Sequence, residues 1–117
     1  MSARAQSRLR AICLALPEAA EQETWGVPTW RLRQRIFCMW NPMEDGTAAL
    51  WCKAPCGVQE MLVEADPARF FRPPYVGPKG WIGLSLAGRV DWDEVAALVR
   101  RSWRMTAGKR LAATLPD

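Results

Sequence analysis

Trp25-Gly26-Val27-Pro28-Thr29-Trp30-Arg31-Leu32-Arg33-Gln34-Arg35-Ile36-Phe37 is the stretch that decides the fold. Thr29–Arg33 and Arg35–Asn41 are short apolar-rich runs on either side of a tight turn, the pattern of a β-hairpin. Arg31 and Arg33 alternate with Trp30 and Leu32, so a strand here buries one pair and presents the guanidiniums on the opposite face, with Arg35 re-entering after the turn. Two further runs extend the strand material: Thr47–Lys53, after the breaker Asn41-Pro42-Met43-Glu44-Asp45-Gly46, and Trp81–Leu86, with β-branched and aromatic content. An antiparallel meander is the simplest way to join them.

Helical patterns flank this material. Leu9, Ile12, Cys13 and Leu16 recur at helical spacing, which predicts an N-terminal amphipathic helix that leaves Arg4, Arg8 and Arg10 in water and ends at Pro17. Val90-Asp91-Trp92-Asp93-Glu94 opens a second helix: Asp91 suits the first free amides, and Glu94 is placed to reach back in a capping box. Trp92, Val95, Ala96, Val99 and Trp103 trace its apolar face. A short helix is expected at Val58, Met61 and Leu62, whereas Ala65 to Gly80, with four prolines and two glycines, reads as an irregular connection. The order α-β-β-β-α-loop-β-α implies one α+β domain over residues 1–117, a small antiparallel sheet packed with N- and C-terminal helices.

Several of these segments also resemble the MmcQ/YjbR family of small bacterial proteins. The resemblance rests on Trp25-Gly26-Val27-Pro28-Thr29-Trp30-Arg31, Arg35-Ile36-Phe37, Gly80-Trp81-Ile82-Gly83-Leu84, Asp91-Trp92-Asp93-Glu94 and Ala107-Gly108-Lys109-Arg110-Leu111, in that order. It implies a CyaY-like or secretion-chaperone-like α+β fold, a group labelled DNA-binding "double wing" proteins on the strength of the fold. The chain departs from relatives at Gln34, where Gly is common in the turn, at Trp30, where Phe is common, and at Gly108, where Pro is frequent.

Composition narrows the chemistry. The 117 residues hold no histidine, which removes most imidazole-based catalytic designs and the usual completion of a zinc shell. Gly83-Leu84-Ser85-Leu86-Ala87 echoes a nucleophile elbow without a base, Gly108-Lys109 lacks the rest of a P-loop, and Glu44-Asp45 and Asp91-Asp93 fit turn and cap roles. A non-enzymatic protein with no cofactor is the expectation. Cys13, Cys38, Cys52 and Cys56 read as thiols: the only close pair is Cys52-Lys53-Ala54-Pro55-Cys56, no second close pair accompanies it, and no histidine completes a metal shell. The six-residue apolar run at 11–16 is too short for a secretory leader, so a cytoplasmic protein without membrane attachment is expected.

Sixteen Lys and Arg against twelve Asp and Glu give a net charge of +4, and thirteen of the sixteen are Arg, a bias that a GC-rich coding genome also produces. From Val95 to Pro116 there is no acid, while Arg100, Arg101, Arg104, Lys109 and Arg110 concentrate positive charge. Together with Arg31, Arg33, Arg35 and Lys79 these are the candidate contacts to the phosphates of duplex DNA. Trp25, Trp40, Trp51 and Trp81, or the Phe70-Phe71-Arg72-Pro73-Pro74-Tyr75 loop, could stack on bases, although tryptophans in a small domain are more often core. Two other readings stay open: a homodimeric interaction or chaperone-like module using the apolar run Ile36–Trp40, and a small-molecule binder with a Trp-lined pocket.

Overall fold

The computed structural model describes residues 2–115. Two two-residue turns fold its first three strands together: β1 (Ala19–Thr24), β2 (Val27–Leu32) and β3 (Arg35–Pro42). Both central residues of each turn have positive φ, 54° and 79° at Trp25-Gly26 and 50° and 75° at Arg33-Gln34, the requirement of a type I′ hairpin turn. Strands β4 (Ala48–Cys52), β5 (Phe70–Phe71) and β6 (Ile82–Ser85) complete one antiparallel sheet in the order β1-β2-β3-β4-β6-β5.

The sheet is larger than the sequence pattern predicts. β1 is Ala-Ala-Glu-Gln-Glu-Thr, with four exposed residues in its middle, so no apolar alternation announces it. It lies at an edge, where charged side chains discourage pairing with another chain. β5, inside the stretch expected to be irregular, is only two residues long and forms the other edge beside β6.

Side chains on one face of the sheet run in rows set by the register, Trp30–Cys38–Cys52–Ile82 and Trp40–Leu50–Leu84–Phe70. They join Leu9 and Cys13 of α1 (Ser2–Leu14) and Val95, Leu98, Val99 and Trp103 of α3 (Trp92–Ala112) in a single core. Trp103 is fully buried and donates its indole N–H to the Pro17 carbonyl at 3.0 Å, which ties α3 to the end of α1. The buried Trp30 indole donates to Glu21 at 3.0 Å, and Glu21 also takes a 2.7 Å ion pair from Arg10. Arg10 is therefore not simply solvated, as expected, but half-buried against β1. That contact holds the Glu21 carboxyl below its ordinary range.

The opposite face carries Thr29, Met39, Trp51, Gly83 and Phe71 in one row. Gly83 is required there, because a Cβ would lie 2.5 Å from the Phe71 ring that crosses it. Met39 is buried beneath its neighbours, so the apolar run of β3 is covered on both faces within one chain.

At the start of α3, Asp91 accepts from the amides of Asp93 and Glu94 as expected. Glu94 does not reach back to close a capping box; it pairs instead with Arg69 at 2.6 Å, and Arg69 also holds Asp66. Gly108, at φ 79° and ψ 165°, breaks the helical backbone and turns the last segment of α3 away. No helix among the described residues is long and apolar enough to cross a membrane.

Candidate functional site

Antiparallel pairing brings the start of β3, the end of β4 and the start of β6 to one end of the sheet. Each of these positions carries a cation: Arg35 opens β3, Lys53 follows β4, and Lys79 lies in a 3-10 turn (Gly77–Lys79) that leads into β6. The Lys53 ammonium titrates below the ordinary lysine range, first because burial disfavours its charged form and then because Arg35 and Lys79 repel it. The three charges are therefore close enough to feel one another.

Arg101 of α3 reaches the same end. Burial pushes the Cys52 thiol well up, while the Arg101 charge pulls it the other way, which sets the guanidinium beside the last residue of β4. Its Nε and Nη2 are buried and have no hydrogen-bond partner. A guanidinium stays charged at all accessible pH, and unpaired buried donors of this kind are costly. Among the described residues, none of Arg35, Lys53, Lys79 and Arg101 has a carboxylate within ion-pair distance.

Two buried polar side chains position this cluster. Ser102 Oγ donates to the Phe37 carbonyl at 2.6 Å and accepts from the Lys53 amide at 2.9 Å. Both backbone groups need it: Phe37 sits where the β2–β3 register slips after Trp30, and Lys53 lies one residue beyond the β4 ladder. The hydroxyl thus clamps Lys53 against the helix turn that carries Arg101. Gln59, buried on α2 (Val58–Ala65), donates to the carbonyls of Gly77 at 2.9 Å and Trp81 at 2.5 Å, which fixes the turn bearing Lys79.

Of the cations singled out in the sequence, Arg35, Lys79 and Arg101 come together here. Arg33 does not join them, because its position in the turn directs it to Glu18 at 3.0 Å. Arg31 lies on the face opposite Trp30, as its alternation requires, but its guanidinium is occupied by Thr24 at 2.7 Å, Thr29 at 3.3 Å and the Gln34 carbonyl. Arg100 and Arg104 are half-buried on α3, and Lys109 and Arg110 are exposed beyond the Gly108 break. Lys53 was absent from the expected set. It sits alone in an apolar run, so no local charge density marks it, and neither Ser102 nor Gln59 carries a sequence signal for its role.

The aromatic candidates divide as well. Trp40 and Trp81 are core residues and Trp51 is half-buried, so none offers an open stacking face; Trp25, at 81% exposure on its turn, and Tyr75, at 88%, do. Cys13, Cys38 and Cys52 are buried together, and burial beside Cys13 raises the Cys38 thiol well above its ordinary value; Cys56 is exposed.

This architecture has a known counterpart. The crystal structure of the Deinococcus radiodurans protein DR2400, described as a DUF419 domain, superposes with a TM-score of 0.76 over 93% of this chain and 87% of that one, at 22% identity. At that identity the likeness shows the fold, an α+β domain with a small antiparallel sheet flanked by N- and C-terminal helices. Among curated proteins, nothing matches. The YjbR family model matches residues 14–105, from the end of α1 through the turn of α3 that carries Arg101 and Ser102, and the chain belongs to the YjbR family.

Proposed function

We propose that the protein binds the phosphate backbone of duplex DNA through Arg35, Lys53, Lys79 and Arg101. The observation that carries this reading is the convergence of four cations from four separate segments without a carboxylate between them. Like charges held together in a folded protein destabilise it unless something negative is bound, and the Arg101 guanidinium, its Nε and Nη2 buried without a partner, adds a charge that no carboxylate among the described residues neutralises. Because the cations come from a strand, two connections and one turn of α3 rather than from a single helix face that could enter a groove, the contact is to backbone rather than to base edges, and binding is weak and indifferent to sequence. A non-enzymatic role agrees with a site made of cations alone. The rival reading, a homodimer built on an open apolar sheet face, draws less support, since the apolar residues of β3 are buried within one chain.

Fluorescence anisotropy on unrelated duplexes at several salt concentrations tests this. Affinity should fall steeply with salt, and Arg35→Ala, Lys53→Ala and Arg101→Ala should each reduce the magnitude of the log K against log salt slope by roughly 0.9. Arg33→Ala should change it less, because Glu18 already neutralises that side chain. Absence of binding at low salt, or equal effects from all four variants, would refute the assignment.

A further inference from the structure

The other end of the sheet holds a second feature. A cleft of about 350 Å³ opens where α1 crosses the start of β4 and the connection from β6 to α3, with Arg4, Arg8, Thr47, Leu86, Val90 and Trp92 among its walls. Its size falls at the lower end of small-molecule sites. Leu86, Val90 and the half-buried Trp92 give it an apolar floor, and no acidic residue lines it.

Arg4 and Arg8 stand one helical turn apart and so share a face of α1. The Arg8 guanidinium lies over the Trp92 ring, 5.0 Å from its centroid, an arrangement that holds the charge in place by cation–π attraction. Neither arginine has a carboxylate partner among the described residues. Three acids of the adjoining segments are engaged elsewhere, Asp45 with the Thr47 amide and hydroxyl, Asp91 with the first amides of α3, and Glu94 with Arg69, and neither Glu44 nor Asp93 pairs with Arg4 or Arg8. Two cations, one of them held over Trp92, beside an apolar, aromatic floor recognise a molecule with both characters.

We propose that this cleft binds a small organic anion, a planar apolar body that carries a phosphate or a carboxylate. The body lies against Leu86, Val90 and the edge of Trp92, and the acid group meets the guanidiniums of Arg4 and Arg8, whose forked donors match either oxyanion. The site lies at the end of the sheet remote from Lys53 and does not depend on the DNA reading.

The Trp92 indole N–H resonance in ¹H–¹⁵N spectra, assigned with Trp92→Phe, reports on the floor directly. Titration with phenyl phosphate or benzoate should shift it saturably, and whichever probe binds tighter identifies the acid group. Phenol and inorganic phosphate should each bind at least about tenfold more weakly, since each supplies one half of the recognition. Arg4→Gln with Arg8→Gln, on the exposed face of α1, should keep a native spectrum and lose the shift. No saturable shift with either probe at millimolar concentration, the same shift with phenol, equal binding of inorganic phosphate, or full binding by the double variant would overturn the proposal.

Discussion

Ser102 shows how one hydroxyl joins packing to function. It satisfies two backbone groups far apart in sequence, the Phe37 carbonyl and the Lys53 amide, and neither has a ladder partner. Ser102→Ala removes very little volume but strands both groups in a buried setting, so a loss of about 2–4 kcal/mol is expected. Thr106→Ala is the comparison. Its hydroxyl bonds back to the Ser102 carbonyl within the same helix, and its removal orphans nothing, so it should cost less than about 1 kcal/mol. Urea midpoints of the two variants check this; equal costs would mean that the Ser102 bridge is not what holds Lys53 to α3.

At the scale of elements, the hairpin turn and the break in α3 show where local conformation departs from side-chain preference. Arg33 and Gln34 occupy left-handed backbone at φ 50° and 75°, a region that glycine enters without strain. Leaving that strain is worth roughly 1–2 kcal/mol, and the greater freedom of unfolded glycine returns roughly half of it. Gln34→Gly should therefore stabilise the protein by about 0.5–1 kcal/mol, measured as a higher urea midpoint at unchanged m. A lower midpoint would show that the Gln34 side chain contributes more than its backbone costs. The same reasoning explains Gly108: a residue at φ 79° lets the chain turn, so Lys109 and Arg110 stand apart from the Arg100–Arg104 helix rather than continuing one basic face.

For the molecule as a whole, the charge arrangement opposes stability to binding. Lys53 has a depressed pKa, which means the folded chain holds its proton less firmly than the unfolded chain does. At neutral pH both states hold the proton, so this group's penalty is present there in full. It fades as pH rises through the interval between the lowered folded value and the ordinary lysine value. Lys53→Gln should consequently leave thermal stability at pH 7 unchanged or slightly raised while weakening DNA affinity, as is common for functional residues. Wild-type binding should weaken in the alkaline range earlier than an ordinary lysine would allow. Parallel thermal melts and anisotropy at pH 7 and above test both halves; a marked fall in stability for Lys53→Gln would contradict them.

The helices, four of the six strands, the Asp91 cap and the core faces of Trp30, Leu32, Val95, Val99 and Trp103 were legible from the chain alone. Each depends on the spacing of apolar residues or on a local amide, and such signals lie within a few positions of one another. β1 was not legible, because an edge strand made of Ala, Glu and Gln takes its conformation from pairing with β2 and not from its own pattern. The cationic site was half legible. Basic residues mark themselves in a sequence, but which of them remain unneutralised does not, since Glu18 is fifteen positions from Arg33 and Lys53 has no basic neighbour. Antiparallel pairing brings Arg35, Lys53 and the turn that carries Lys79 to one end of the sheet, and the packing of α1 sets Arg4 and Arg8 at the other. Charge is a property of residues, whereas the field that a ligand meets is a sum over distances that only the tertiary structure defines.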